Sequence, residues 1–284
     1  MRAKKSLGQN FLTSKAVVSD IITTANLSTQ DAVLEIGPGK GFLTEELLKK
    51  AGEVIVIEKD NRLVEYLEER FAKEVADKKL VIIHDDVLDL DIKKLQSSLK
   101  SKRYVLVANI PYYITGQILR MFLESESQPE KMILMVQKEV AKRIVANDGK
   151  ESILSVSVKA YGTPHYIKKV PARYFNPKPK VDSAILLIDN ISKKIFPTMG
   201  HRVSHSWDEV DPIAPVAPIT PVDEERKFFE LMKTGFAHKR KMLLNNLSSY
   251  TDAESVFCVC KIQQKVRAEE LSVKDWICIA KNIK

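Results

Sequence analysis

Between residues 16 and 190, short runs of branched apolar residues alternate with longer segments in which apolar positions recur every three or four residues. AVLEIG, EVIVIEKD, LVIIHDD, YVLVANIP, KMILMVQ and SAILLID have strand length, and their apolar positions are consecutive, as expected of strands covered on both faces. FLTEELLKKA, RLVEYLEERFAKEVA and TGQILRMFLES keep their charges on one side of a 3.6-residue period and predict helices. QKEVAKRIVA and ILSVSVKAYG follow KMILMVQ, and the second reads equally as a buried helix or as a strand. Alternation of this kind predicts an α/β fold in which helices connect the strands of a sheet.

The pattern stops near Phe196. The segment PTMGHRVSHSWDEVDPIAPVAPITPVD holds Pro197, Pro212, Pro215, Pro218 and Pro221 and almost no periodicity, so residues 196–222 read as a proline-rich insert or linker. Beyond it, EERKFFELMKTGFAHKRKMLLNNLSS, DAESVFCVCKI and SVKDWICIAKNI predict a small helical domain over 223–284, with HKRK at 238–241 on a helix. The first domain then spans 1–195, beginning with a terminal strap around QNFL.

The first four strand candidates each end in a polar or acidic residue, respectively Glu35, Glu58, Asp86 and Asn109. Ligands of open α/β sheets bind beyond the carboxyl ends of the strands, so these side chains converge on one crevice. Gly37, Gly39 and Gly41 lie between the first strand and its helix, where glycine lets a ligand approach the backbone. A dinucleotide fingerprint needs GxGxxG, but its third glycine position holds Phe42. The spacing fits a nucleoside without a pyrophosphate: Glu58 would accept from the ribose hydroxyls and Asp86 from an adenine amine. S-adenosylmethionine meets that description, and carboxylates suit its cationic sulfonium.

NIPYYITG follows the fourth strand. Asn109 offers an amide oxygen and the backbone carbonyl before or at Pro111 a second acceptor, a pair suited to the two hydrogens of an exocyclic amine. Holding both hydrogens would draw an aryl amine towards tetrahedral geometry and free its lone pair. Tyr112 supplies a face on which a base can stack. The competing reading makes Asn109 a helix cap and Pro111 to Tyr113 a packed turn.

Composition adds a partner. The 284 residues, 44% of them hydrophobic, can fill a sizeable core, and the formal charge of +8 with clusters at MRAKK, HYIKKVPARYFNPKPK and HKRK favours a polyanion. No long apolar run is present, so neither a membrane span nor a secretory signal is expected, and the location expected is cytoplasmic. Cys258, Cys260 and Cys278 read as reduced, mostly buried thiols, and neither they nor His84, His165 and His238 have the spacing of a metal site.

KKSLGQNFL, EIGPGKG, NIPYYIT, FNPKPKVDSAI and FAHKRKMLLNNL stand in the order found in the ribosomal RNA adenine dimethyltransferase family, which includes the kasugamycin-susceptibility enzymes and, more distantly, the erythromycin-resistance enzymes. The resemblance covers nearly the whole chain except the proline-rich segment. It implies a Rossmann-like, S-adenosylmethionine-dependent methyltransferase domain, a small C-terminal helical domain, and dimethylation of adenine amines in small-subunit ribosomal RNA on a pre-ribosomal particle. A monomer is expected. Carried over by residue, Asn10 and Leu12 would close over the cofactor; Gly37, Glu58, Asp86 and Asn109 would contact it, with Gly39 in the same loop. Tyr112 and Phe175 would sandwich the target adenine; from the residues alone Phe175 reads as ordinary core or, flanked by Pro177, Lys178, Pro179 and Lys180, as part of a stiff, basic, exposed loop. FNPKPKVDSA and HKRKMLLNNL favour the small-subunit enzymes over the resistance enzymes. Two departures stand out: ESILSVS lacks an arginine common before the leucine-serine pair, and Gly116 replaces a frequent serine or threonine.

Overall fold

The computed structural model describes residues 3–4, 7–99, 103–195 and 224–284, and the proline-rich segment lies outside them. Among these, residues up to Val145 together with Gly162–Ser192 form one compact unit; Ala146–Tyr161 and the residues from Lys193 onward form a second.

In the first unit the chain runs β1 (Phe11–Leu12), α1 (Lys15–Ala25), β2 (Ala32–Ile36), α2 (Phe42–Lys50), β3 (Glu53–Glu58), α3 (Asn61–Arg70), α4 (Ala72–Ala76) and β4 (Leu80–His84). It continues through α5 (Ile92–Ser98), β5 (Tyr104–Ala108), α6 (Thr115–Leu123), β6 (Lys131–Gln137) and α7 (Lys138–Val145). After α8 (Ile153–Lys159), which belongs to the second unit, come β7 (Thr163–Val170), β8 (Phe175–Asn176) and β9 (Ser183–Asp189).

Seven strands form one sheet in the order β4-β3-β2-β5-β6-β9-β7. The first five are parallel; β9 is antiparallel to both β6 and β7. Every residue of β2, β3 and β5 is buried, which is why their sequences are apolar without alternation. The chain leaves β2 for β3 and β4 on one side and returns as β5 on the other. Strand order therefore reverses between β2 and β5, and a crevice opens beyond their carboxyl ends. The domain is a Rossmann-like α/β fold.

Three local features differ from the sequence expectation. The segment RLVEYLEERFAKEVA breaks into α3 and α4 at Phe71, whose Cε2 lies 2.5 Å from where a Cβ on Gly41 would stand. The edge strand β7 was hidden by Pro164 and by exposed His165, Lys168 and Lys169, which disturb the apolar alternation. ILSVSVKAYG resolves as a helix, α8, capped by reciprocal Ser152 and Ser155 hydrogen bonds, with Val156 and Val158 buried, and it groups with the second unit although the first domain was expected to run to 195.

The second unit consists of α8, α9 (Glu224–Phe236), α10 (Leu243–Asn246), α11 (Ala253–Val259) and α12 (Val273–Asn282). Phe236 stacks on the buried Trp276 at 5.4 Å, and a Cβ on Gly235 would come within 2.4 Å of the same indole. HKRK is not helical: α9 ends at Phe236, where the Asn246 side chain donates to the carbonyls of Gly235 and His238, so residues 238–241 form an exposed turn. The cysteines also differ from expectation. The packing of α11 on α12 brings Cys260 and Cys278 to a Cα separation of 5.8 Å in a disulfide, and Cys258 is exposed. No described helix is long and apolar enough to cross a membrane.

Candidate functional site

A cavity of about 630 Å³ lies over the carboxyl ends of β2, β3 and β5, within the size range of small-molecule sites. One wall is the loop from β2 into α2. Gly39 and Gly41 have φ of 59° and 74°, in the left-handed region. A Cβ on Gly39 would come within 2.9 Å of the Phe11 ring, so glycine here lets the strap lie directly on the loop.

Glu58 ends β3 and is 7% exposed. Its Oε2 accepts the Gly39 N–H at 3.3 Å and its Oε1 the Asp60 N–H at 2.9 Å. Burial raises its pKa, opposed by these two amides. Each carboxylate oxygen retains a further lone pair for a ligand hydroxyl. Glu35, one strand over, is 2% exposed; burial pushes it up to about 8, although the Thr44 hydroxyl donates to it at 2.7 Å. The nearby charge on Glu58 adds to the rise. Adjacent strands thus present two carboxyls to the same cavity, and Glu35 is the harder to ionise.

Asp86 lies two residues beyond β4, which ends at His84. Its Oδ1 accepts the Leu88 N–H at 3.1 Å, and its Oδ2 pairs with Lys59. Burial raises its pKa, but the Lys59 and Leu88 hydrogen bonds outweigh burial and hold it below the usual value.

Asn109 follows directly on β5. Its Nδ2 donates to the Asn10 carbonyl at 3.2 Å, while the Asn10 side chain donates to the Gly8 carbonyl at 3.0 Å. The Asn109 Oδ1 is therefore the end of the amide left for another donor. The Pro111 carbonyl accepts the Ile114 N–H at 3.2 Å, and the Tyr112 hydroxyl is fixed to Ser183 Oγ at 2.8 Å. At Gly116 nothing stands within 4 Å of where a Cβ would be, so a serine or threonine would fit there without displacing anything.

All the sequence-predicted site residues line this cavity except Phe175. That ring is not exposed on a basic loop. Pairing of β8 with β1 sets Phe175 opposite Leu12 and packs it into the core at 4% exposure, so of the two rings only Tyr112 lines the cavity. Sequence reasoning missed Asp60, whose carboxylate receives Lys4 and Gln9 from the strap. The available signal was an aspartate between a strand and NRLVEYL, the position of a helix N-cap.

Loop, carboxylates and amide fit an adenosine-bearing cationic cofactor such as S-adenosylmethionine: buried carboxylates face the cavity, and the glycine loop lets a ligand reach the backbone. Among the described residues no three histidine, cysteine, aspartate or glutamate side chains cluster as metal ligands.

Residues 1–204 match the family model described as Ribosomal RNA adenine dimethylase. The chain is 40% identical over 281 residues to the Ribosomal RNA small subunit methyltransferase A of Dehalococcoides mccartyi strain ATCC BAA-2266, covering 97% of this chain and 87% of that one. Among solved structures, a dimethyladenosine transferase from Plasmodium falciparum superposes with a TM-score of 0.71 at 23% identity, covering 95% of each chain. The 23S rRNA methyltransferase ErmE superposes with a TM-score of 0.69, also at 23% identity, covering 96% of this chain and 98% of that one. At that identity the two structures speak to the fold alone.

Proposed function

The chain belongs to the ribosomal RNA adenine dimethylase family, and from that premise we propose that it dimethylates the exocyclic amines of two adjacent adenosines in the 3′-terminal hairpin loop of small-subunit ribosomal RNA. The observation that carries this reading is the meeting, in one cavity, of the glycine loop, Glu58 and an Asn109 amide whose nitrogen is already taken.

Asn10, Leu12, Gly37, Gly39, Glu58 and Asp86 would hold S-adenosylmethionine, with Asn109 beside it. When bound, that cofactor supplies an electrophilic methyl group on a sulfonium. The chain's own part is to position the amine. Asn109 Oδ1 accepts one amine hydrogen, and the Ile110 carbonyl, which lines the cavity directly before Pro111, accepts the other. Two acceptors would orient the nitrogen lone pair towards the methyl, and the amine proton, acidic once the nitrogen is alkylated, would pass along one of these hydrogen bonds to water. No strong base is required; the rate comes from positioning and preorganised dipoles. Tyr112, tethered at its hydroxyl, presents a ring of fixed orientation to the base.

An amine inside a duplex is out of reach, which favours loop adenosines. The basic turn at 238–241 and the net charge of +8 suit RNA phosphates. The reading includes a pre-ribosomal particle as substrate and a monomeric enzyme.

The test is methyl transfer to undermethylated small and large ribosomal subunits in parallel, with mass spectrometry of the RNA. Paired dimethyladenosines near the small-subunit 3′ end are expected. Modification confined to the large subunit, or to neither, overturns the proposal.

A further inference from the structure

The carboxylate of Asp60 has no exposed surface, yet it is not a simple ion pair. Its Oδ1 accepts Lys4 Nζ at 3.0 Å and Arg62 Nε at 3.1 Å; its Oδ2 accepts Gln9 Nε2 at 3.0 Å and the Arg62 guanidinium at 2.7 Å. Arg62 reaches it from its own helix, whereas Lys4 and Gln9 come from the terminal strap more than 50 residues away in sequence. A buried carboxylate is strongly disfavoured unless its oxygens are satisfied, so Asp60 holds whatever donates to it.

Two further contacts give this arrangement a consequence. The Asp60 N–H donates to Glu58 Oε1, tying the same residue to the carboxylate that accepts the Gly39 amide. On its far side the strap meets the loop after β5: Asn10 accepts from Asn109, and a Cβ on Gly8 would stand 3.2 Å from the Tyr113 ring and 3.3 Å from Pro111 Cβ. Phe11 covers Gly39 between the two.

We propose that Asp60 is a positioning residue that latches the terminal strap across the cavity, and that through the strap it sets both cofactor affinity and the orientation of the Asn109 amide. The proposal deepens the reading of this cavity as a cofactor site and rests on it. Asp60 does not touch the reacting atoms; it acts through Gln9 and Lys4 on one side and Glu58 on the other.

The experiment compares full-length Asp60→Asn, Gln9→Ala, Lys4→Met and Arg62→Met for S-adenosylhomocysteine affinity by calorimetry, for kcat and cofactor KM, and for hydrogen exchange of residues 7–12 with and without ligand. Asp60→Asn and Gln9→Ala are each expected to weaken affinity about tenfold, the size of a lost hydrogen bond or two. Both should lose protection of the strap. The double variant should be little worse than either single one, because both break the same link. Arg62→Met should weaken affinity less than Gln9→Ala does, since its bonds come from the helix side and Lys4 and Gln9 keep the strap on the carboxylate. If the role of Asp60 were only to cap α3, Arg62→Met would match Gln9→Ala and the strap would exchange as in the parent protein; that result overturns the latch. Gln9→Ala and Lys4→Met keep the question answerable if Asp60→Asn does not fold. Failure of the parent protein to bind S-adenosylhomocysteine would count against the cofactor reading, while strap exchange without ligand would still decide the latch.

Discussion

The side-chain nitrogen of Asn109 donates to the backbone carbonyl of Asn10, 3.2 Å away and 99 positions earlier in the chain. An amide can present either end to a substrate, and this bond fixes which. Asn109→Asp keeps the size and an acceptor but sets a carboxylate oxygen against the Asn10 carbonyl. We expect kcat to fall at least about 100-fold, the scale of a misplaced catalytic group. Asn109→Ala should abolish transfer while RNA affinity, measured by filter binding, stays within about threefold. Substantial turnover by Asn109→Ala would remove the amine-holding role.

Glu58→Ala leaves the amides of Gly39 and Asp60 without their carboxylate and removes a buried acceptor from the cavity. Cofactor affinity should drop by roughly 10- to 100-fold, as for a charge-assisted pair of hydrogen bonds. Calorimetry with S-adenosylhomocysteine reads this directly, and an unchanged dissociation constant would rule out the ribose assignment.

Gly39 and Gly41, both left-handed, should fail differently. A methyl group on Gly41 would meet Phe71 at 2.5 Å and Leu67 at 2.9 Å inside the core, so Gly41→Ala is expected to cost about 1–3 kcal/mol in overpacking. Gly39→Ala instead meets Phe11 of the strap at 2.9 Å. Its effect should appear mainly in cofactor affinity, with a smaller change in melting temperature. Equal loss of stability in both variants would mean that the strap is as rigid as the core.

How much of this was legible depended on where the physical signal resides. Strands β2, β3 and β5 are buried on both faces, so continuous apolar runs marked them, and the polar residues at their ends marked the cavity. Gly37, Gly39, Glu58 and Asn109 were therefore readable together. Phe175 was misread because its flanking prolines and lysines suggest exposure, whereas pairing with Leu12, far off in sequence, buries it. Asp60 was invisible for a related reason: its cap position is local, but its link to Lys4 and Gln9 exists only once the strap has crossed the sheet. HKRK reads as helical from its own residues because nothing local reveals that Asn246 closes α9 at Gly235. The disulfide, too, depends on the packing of α11 on α12, which the spacing of Cys258, Cys260 and Cys278 in the sequence does not encode.

Glu35 supplies a pH dependence whose sign follows from its burial. Its folded pKa of about 8 lies above the ordinary glutamate value of 4.5, so between those values the folded chain binds more protons than the unfolded one. Stability contributed through this group is therefore fully present below about pH 4.5, falls as pH rises through the window, and levels off above 8. The steepest slope for one proton is about 1.4 kcal/mol per pH unit. Glu35→Gln keeps an acceptor for the Thr44 hydroxyl and removes the titration. The variant should match the parent protein near pH 4.5 and be the more stable of the two at pH 8.5, by an amount that grows across the interval. Melting temperatures of both proteins at several pH values check this. Parallel curves would mean that Glu35 ionises as easily in the fold as in the open chain, and the contrast between it and Glu58 would then have no electrostatic basis.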